Sequence, residues 1–394
     1  MNTKAILATM KKNAMLIVLV FVFILFIILT KGSLFTPSSF SELISQNAYV
    51  YILGTGMLMC MLTGGNIDLS CGSFACLMGA FGAVFMVKQG YGAGVSLGLL
   101  LLIGIGYGCI LGYIIAYVHI PPWIATLVGF LAFRGLGQAI LFDEYFKTGS
   151  VAISQLPSGF TGLFSGWIFQ TSEGELNWPC FIFGLAAAAA VVLLIFRTRK
   201  NRLGKGYEAD TVKTAAIKGG ISAAAIILVM TQLSLYKGIP TALLWVIGIV
   251  LFYSFITSKT TVGRHFYVVG GNMEAARLSG VNTRRIMFLA YLNMAILTSI
   301  ATMTSVSRVS INSKLGENYE LDAISACVVG GVSASGGAGT VLGMVIGATL
   351  IGVINMGMDQ SVLIEIDMNY KRIIKGLVLL GAVVFDILSQ KRNK

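Results

Sequence analysis

The sequence predicts an all-α polytopic membrane protein, and three observations carry that prediction. Apolar residues make up 56% of the 394 positions and charged residues only 11%, where an ordinary soluble domain carries roughly 25% charge. Apolar runs long enough to cross about 30 Å of hydrocarbon recur from one end of the chain to the other. The chain also holds 47 glycines and only six prolines. That balance suits tightly packed membrane helices, where small residues let backbones approach. No change of composition marks a second, soluble domain, so residues 1–394 read as one transmembrane domain.

About twelve apolar segments can be traced, which sets the expectation at 10–12 transmembrane segments: 14–30, 48–63, 69–87, 94–117, 123–141, 181–196, 220–236, 239–258, 286–305, 322–331, 338–356 and 372–389. The first reads as an uncleaved helix, because the run Ala14–Thr30 is long and no small-residue cleavage site follows Lys31. Positive residues gather at Lys4, Lys11 and Lys12, in 197–218, in 264–285 and in 391–394. Alternating from a cytoplasmic N-terminus puts loops 197–219 and 259–285 and both termini inside, as the positive-inside rule asks. It puts 31–47, 142–180, 306–321 and 357–371 outside, with Glu42, Asp143, Glu144, Glu173, Glu175, Glu317, Glu320, Asp359, Glu365 and Asp367.

Several function classes are disfavoured at this stage. The net charge of +12 follows the loop topology, and no basic patch interleaved with aromatics points to nucleic acid. Six cysteines stand singly, without a C-x-x-C, and read as small buried hydrophobes. Two histidines, His119 and His265, cannot build a zinc site, and both lie near membrane edges, where no Ser-His-Asp arrangement is plausible. The chain has no G-x-x-x-x-G-K-[ST], so no P-loop binds ATP here. The residues describe a conduit, not a catalyst.

Two segments are interrupted. One runs through Gly64-Gly65 into Asn66, Asp68 and Ser70; the other runs through Gly330-Gly331 into Ser333, Ser335 and Gly336-Gly337. Each is an apolar helix meeting a glycine pair, a few polar residues, and a fresh helix rich in small residues. Paired breaks of this kind suggest a weak internal repeat and a solute path at its interface, because non-helical backbone at membrane depth survives only where protein or a water-filled cavity satisfies it. Asn66, Ser70, Ser333 and Ser335 can either cap helices or bond weakly to solute hydroxyls. Asp68 precedes a helix near Leu69, so it can cap free N–H groups at a positive helix end. The alternative is contact with solute, the default for an acid within the membrane. Arg134 lies about 16 Å into its segment at ~1.5 Å per residue, and needs Asp68 or broken-helix carbonyls as partners. Asp322 reads as another N-cap. Gly104, Gly108 and Gly112, like Gly343 and Gly347, form small-xxx-small faces for packing within the chain or between subunits.

Loop 259–285 contains GRHFYVVGGNMEAARLSGVNTRR, with Arg264, His265, Arg277, Arg284 and Arg285 between two apolar spans. Glu274-Ala275-Ala276 is followed by Gly280, where the chain can turn sharply. This resembles the EAA-x-x-x-G pattern of ABC importer permeases, in which a short cytoplasmic helix docks into a cleft on the ATPase; two alanines would offer a thin face to that cleft.

With GGNIDLSCGSFACLMGA, IPPWIATLVGFLAFRGLG and ELDAISACVVGGVSASGGAGTVLGMVIGATLIGVINMG, the chain is similar over most of its length to permeases of monosaccharide ABC importers, the ribose, galactose and xylose class. The resemblance implies an all-helical subunit of the bacterial inner membrane, pairing with a second copy, an ABC ATPase and an extracytoplasmic sugar-binding protein. ATP and magnesium would belong to the ATPase, with no cofactor in this chain. Gly271, Asn272, Glu274, Ala275, Ala276, Arg277 and Gly280 would form the ATPase-coupling segment. Asn66, Asp68, Ser70, Arg134, Ser333 and Ser335 would lie near the path. The implied mechanism is alternating access: a loaded binding protein docks on the outer loops, chiefly 142–180 and 306–321, and ATP-driven closure of the ATPase rocks the subunits. Residues 181–236 add a helical pair that shorter ribose-type members lack, which leans toward the xylose or multiple-monosaccharide branch. The rivals are a related permease for nucleosides or branched-chain amino acids, and an ion-coupled carrier, for which Asp68 is nearly the only buried acid on offer.

Overall fold

The computed structural model describes residues 14–361 except 148 and 173, and then residues 370, 371, 373–378, 380, 381 and 384. Lys4, Lys11, Lys12, Glu173, Glu365, Asp367, the 391–394 cluster and much of segment 372–389 therefore lie outside the described residues. Helix α1 (Ala14–Leu29) leads to α2 (Pro37–Gln46) and α3 (Ala48–Leu62). After the first break comes α4 (Cys71–Ala83), prolonged by a π-helical turn to Lys88, then α5 (Ala93–Ala116) and α6 (Pro122–Leu141). The short α7 (Ser158–Ser165) precedes the hairpin of α8 (Trp178–Gly204) and α9 (Val212–Ser234). Then follow α10 (Thr241–Lys259), α11 (Thr261–Gly271), α12 (Met273–Leu278) and α13 (Thr283–Val306). Helix α14 (Tyr319–Val329) and α15 (Val341–Asp359) flank the second break.

Among the described residues eight helices are long and apolar enough to cross a membrane: α4 with its π turn, α5, α6, α8, α9, α10, α13 and α15. The all-α polytopic class stands. Helix α3 is apolar all round and buried at every position from Val50 to Leu62, as a central helix must be. Helix α13 packs along both α3 and α5, α4 pairs with α6, and α14 with α15. The glycine faces serve these contacts within the chain. A methyl group at Gly108 would stand 2.8 Å from Leu292 Cα, and one at Gly112 2.8 Å from the Phe288 carbonyl oxygen, both on α13. Gly347 packs in the same way on Ala326 of α14.

Several loops are more ordered than their polarity suggests. Segment 31–47 contains α2, started by Pro37 at its first position and by the Thr36 hydroxyl accepting from the Ser39 N–H. Loop 197–219 shrinks to residues 205–211, because α8 continues past its apolar run and Thr211 caps α9 early. Hydropathy marks what sits in lipid, whereas a helix persists as long as its residues favour it. Loop 259–285 is mostly helical. Loops 142–180 and 306–321 are stitched together: β1 (Ser150–Val151) pairs antiparallel with β4 (Ile311–Asn312), Ser150 opposite Asn312. A second pair, β2 (Trp167–Ile168) with β3 (Ile239–Pro240), ties α7 and α10 together at the same end. Lys88 and Asp143 form an ion pair at 2.6 Å, which holds the Asp143 carboxyl below the usual carboxylate range.

Candidate functional site

The two breaks meet each other. Gly337 donates its N–H to the Leu62 carbonyl at 3.1 Å. Gly65 lies on the Ala334 carbonyl, and Gly336 on the backbone of Gly64, so neither residue has room for a Cβ. Both glycine ends lie against α11, at the end of the bundle that carries α12. Asp68 and Ser70 of the first break and Val332 and Ser333 of the second are buried among the helices.

The polar residues of the first break are turned inward. Asp68 is 1% exposed, and its Oδ1 accepts from the Ser70 N–H at 2.8 Å and the Ser70 hydroxyl at 2.6 Å. The Ser70 hydroxyl also meets the Tyr107 hydroxyl of α5 at 2.7 Å. Asn66 bonds back to the Thr63 carbonyl at 3.1 Å. In the second break Ser333 and Ser335 bond to each other at 2.9 Å. Asp68 is thus engaged in a turn just ahead of α4, whose N-cap is Ser70 and carries no side-chain cap bond.

Arg134 is not paired with Asp68. Its Nη1 donates to the carbonyls of Leu315 at 2.7 Å and Ser313 at 3.3 Å, in the loop that leads into α14. That loop, external by polarity, folds inward because an arginine among helices draws free carbonyls to itself. Glu320 follows it inward. It is buried in the first turn of α14 beside Gly72 in the first turn of α4, and its Oε2 has no hydrogen-bond partner among the described residues. Asp322 is not the N-cap. Asn318 holds that place, and Asp322 is a buried side chain one turn in.

The coupling segment is built by local rules. The Asn272 side chain caps α12 by accepting from the Ala275 N–H at 2.9 Å. Glu274 and Arg277 pair at 2.7 Å across one turn. Gly280 adopts φ +83°, with its N–H on the Arg277 carbonyl and that of Val281 on the Ala276 carbonyl, each at 3.0 Å. This left-handed closure suits glycine. The two alanines do not share one outer face: Ala276 is buried against the bundle while Ala275 is exposed. Neighbouring residues project about 100° apart on a helix. What the helix presents outward is apolar instead, with Leu278 80% and Met273 44% exposed. Gly271 is exposed just before it.

At the opposite end, α3, α13, α14 and α15 part around a cavity of about 630 Å³. Its lining includes Asn47, Tyr49, Ser305, Tyr319, Asp322, Asn355 and Lys375. Tyr49 and Tyr319 stack with centroids 3.9 Å apart. Asp322 accepts from the Tyr49 hydroxyl at 2.7 Å and from Lys375 Nζ at 3.0 Å. The Asn355 Oδ1 is buried without a partner among the described residues. The cavity and the burial of Glu320 were not legible in the sequence, because the residues that surround them lie in distant segments. The exposed aliphatic Leu278, beside a capped short helix, left a local signal.

A bundle whose core helices break at one end beside a protruding helix, and part at the other around a polar cavity, defines a membrane permease. The chain belongs to the family described as branched-chain amino acid transport system/permease component, which it matches over residues 39–210 and 201–383. It is a multi-pass protein of the inner membrane. The chain is 30% identical over 379 residues to the xylose transport system permease protein XylH of Haemophilus influenzae, covering 96% of both chains. It is 29% identical to the ribose import permease protein RbsC of Escherichia coli K12, over 98% of this chain and 95% of that one. With the galactose/methyl galactoside import permease protein MglC of the same strain it shares 28% identity, over 100% and 99%. No solved structure matches the chain.

Proposed function

We propose that this chain is the membrane subunit of an ATP-driven importer, forming the path for a monosaccharide, xylose or a related sugar, delivered by an extracytoplasmic binding protein. The observation that carries the reading is α12, a six-residue helix capped at both ends, exposing Leu278 beside the paired breaks. Relatives named for xylose, ribose and galactose, aligned over nearly the whole chain, support the sugar. The additional α8–α9 hairpin supports the lean to xylose.

In this reading α12 faces the cytoplasm and docks on an ABC ATPase, which alone binds ATP and magnesium. A second copy of the chain completes the path, and the outer loops 142–180 and 306–321 receive the binding protein. The cavity around Tyr49, Asp322 and Asn355 is the outer vestibule; its aromatic, amide and carboxylate lining suits sugar hydroxyls and ring faces. The family description favours branched-chain amino acids as the second reading. The engagement of Arg134 by backbone carbonyls counts against its use for a substrate carboxylate.

The test is co-purification of the tagged chain with the ATPase encoded beside it, followed by uptake in liposomes. Wild type is expected to retain the ATPase, and Glu274→Arg and Gly280→Pro to lose it while remaining membrane-inserted. Labelled xylose is expected to accumulate and labelled leucine to stay outside. Retention indifferent to both substitutions sinks the coupling role of α12, and leucine uptake without xylose uptake sinks the sugar.

A further inference from the structure

Helix α11 does more than lead to α12. Only Asn272 separates the two helices, and two residues before it Gly270 lies directly on the Leu62 carbonyl at the end of α3. A methyl group at position 270 would overlap that oxygen and stand 2.6 Å from the Gly337 nitrogen. Those two atoms are themselves hydrogen-bonded, Gly337 N–H to Leu62 C=O at 3.1 Å. One turn earlier on α11, the Tyr267 hydroxyl donates to the Gly339 carbonyl at 3.0 Å. Helix α11 thus touches the end of the first broken segment and two points of the second, mostly through bare backbone. The neighbouring Gly271 is different: a methyl group there would meet nothing within 4 Å.

We propose that Gly270 and Tyr267 are positioning residues that carry the movement of α12 into both helix breaks at once. The inference rests on the reading of α12 as the ATPase-docking helix. Its physical basis is that close-packed backbone does not compress. A side chain between α11 and the breaks can change rotamer and absorb a displacement of an ångström. Contact of Gly270 with Leu62 and Gly337 has no such slack, so a tilt of α11 must shift the end of α3 and the Gly336-Gly337 turn together. The Tyr267 bond to Gly339 fixes the direction by holding the far side of the second break. Coupling between distant sites needs an element with two arrangements that both sites bias. The paired breaks would serve as that element, because Gly65 and Gly336 pack backbone on backbone across them and Gly270 of α11 lies against both.

The test uses the full chain assembled with its ATPase and binding protein in liposomes, with xylose as probe. Three quantities are read for each variant: ATPase retained per permease, ATP hydrolysed, and xylose delivered per ATP. Gly270→Ala is expected to keep the ATPase but deliver about tenfold less xylose per ATP, within the range of site-to-site coupling. Tyr267→Phe, which removes one hydroxyl, is expected to lower the same ratio to a smaller degree. Gly248→Ala on α10, where an added methyl group would meet nothing within 4 Å, is expected to match wild type. A Gly270→Ala protein that transports with the wild-type ratio overturns the proposal. If Gly270→Ala fails to fold, Tyr267→Phe decides: a wild-type ratio makes the contact packing only, and a lowered ratio at full ATPase retention sustains the positioning role. Should wild type itself retain no ATPase, the docking reading of α12 falls and this inference with it. Wild-type retention with fully coupled variants overturns this inference alone.

Discussion

Arg134 holds Leu315. The guanidinium of α6 donates to the Leu315 carbonyl at 2.7 Å and to that of Ser313 at 3.3 Å, drawing the loop before α14 down among the helices. Arg134→Leu leaves both carbonyls without this donor and is expected to destabilise the protein by about 2 kcal/mol. Arg134→Lys, with one compact ammonium in place of a fork, is expected to fall between. Thermal unfolding of the purified protein in detergent reads both, and an unchanged midpoint for Arg134→Leu would refute the anchoring role.

Asp68 separates holding the turn from solute contact. Its Oδ1 takes both bonds from Ser70, and an asparagine oxygen can take the same two. Asp68→Asn is therefore expected to keep uptake close to wild type, whereas Asp68→Ala is expected to cost about 1 kcal/mol of stability. Uptake abolished in Asp68→Asn at an unchanged unfolding temperature would mean that the carboxylate charge acts on the transported solute.

Leu278 is the exposed knob of α12. Leu278→Ser removes no internal contact of consequence and is expected to leave the unfolding temperature unchanged. Retention of the ATPase is expected to weaken about tenfold, as when an apolar anchor is lost from an interface. Pull-down at graded ATPase concentration measures this, and equal affinity would remove Leu278 from the docking surface.

Tyr49 and Lys375 occupy different oxygens of one carboxylate, Asp322 Oδ2 and Oδ1. Either Tyr49→Phe or Lys375→Met leaves the other donor in place. Both together leave a buried acid with neither, so the double variant is expected to lose about 1 kcal/mol more than the sum of the singles. Lys375 keeps access to solvent, which holds the figure to that size. Strict additivity in unfolding measurements would show that the two donors do not share the load.

Much of this architecture is local in origin and was legible in the chain. The apolar runs of α5, α6 and α13, the glycine pairs of the two breaks and the Asn272–Gly280 segment follow from hydropathy and cap chemistry within a few residues. Helix ends were less legible where charge and helix propensity part company, as in α8, which continues through Arg197, Arg199 and Lys200. The polarity of residues 306–321 gave no sign that Arg134 bonds the Ser313 and Leu315 carbonyls or that Glu320 is buried.

By itself the sequence determined a polytopic helical membrane protein, two interrupted segments and a capped helix ending at Gly280, because hydrophobic length and turn chemistry act over short stretches. Only the tertiary structure decided which of these meet. Tyr49 and Asp322 stand 273 positions apart and share a hydrogen bond, and Leu62 meets Gly270 and Gly337 through atoms that every residue possesses. Backbone contacts carry no side-chain signature beyond a glycine, so their partners emerge only when the helices pack.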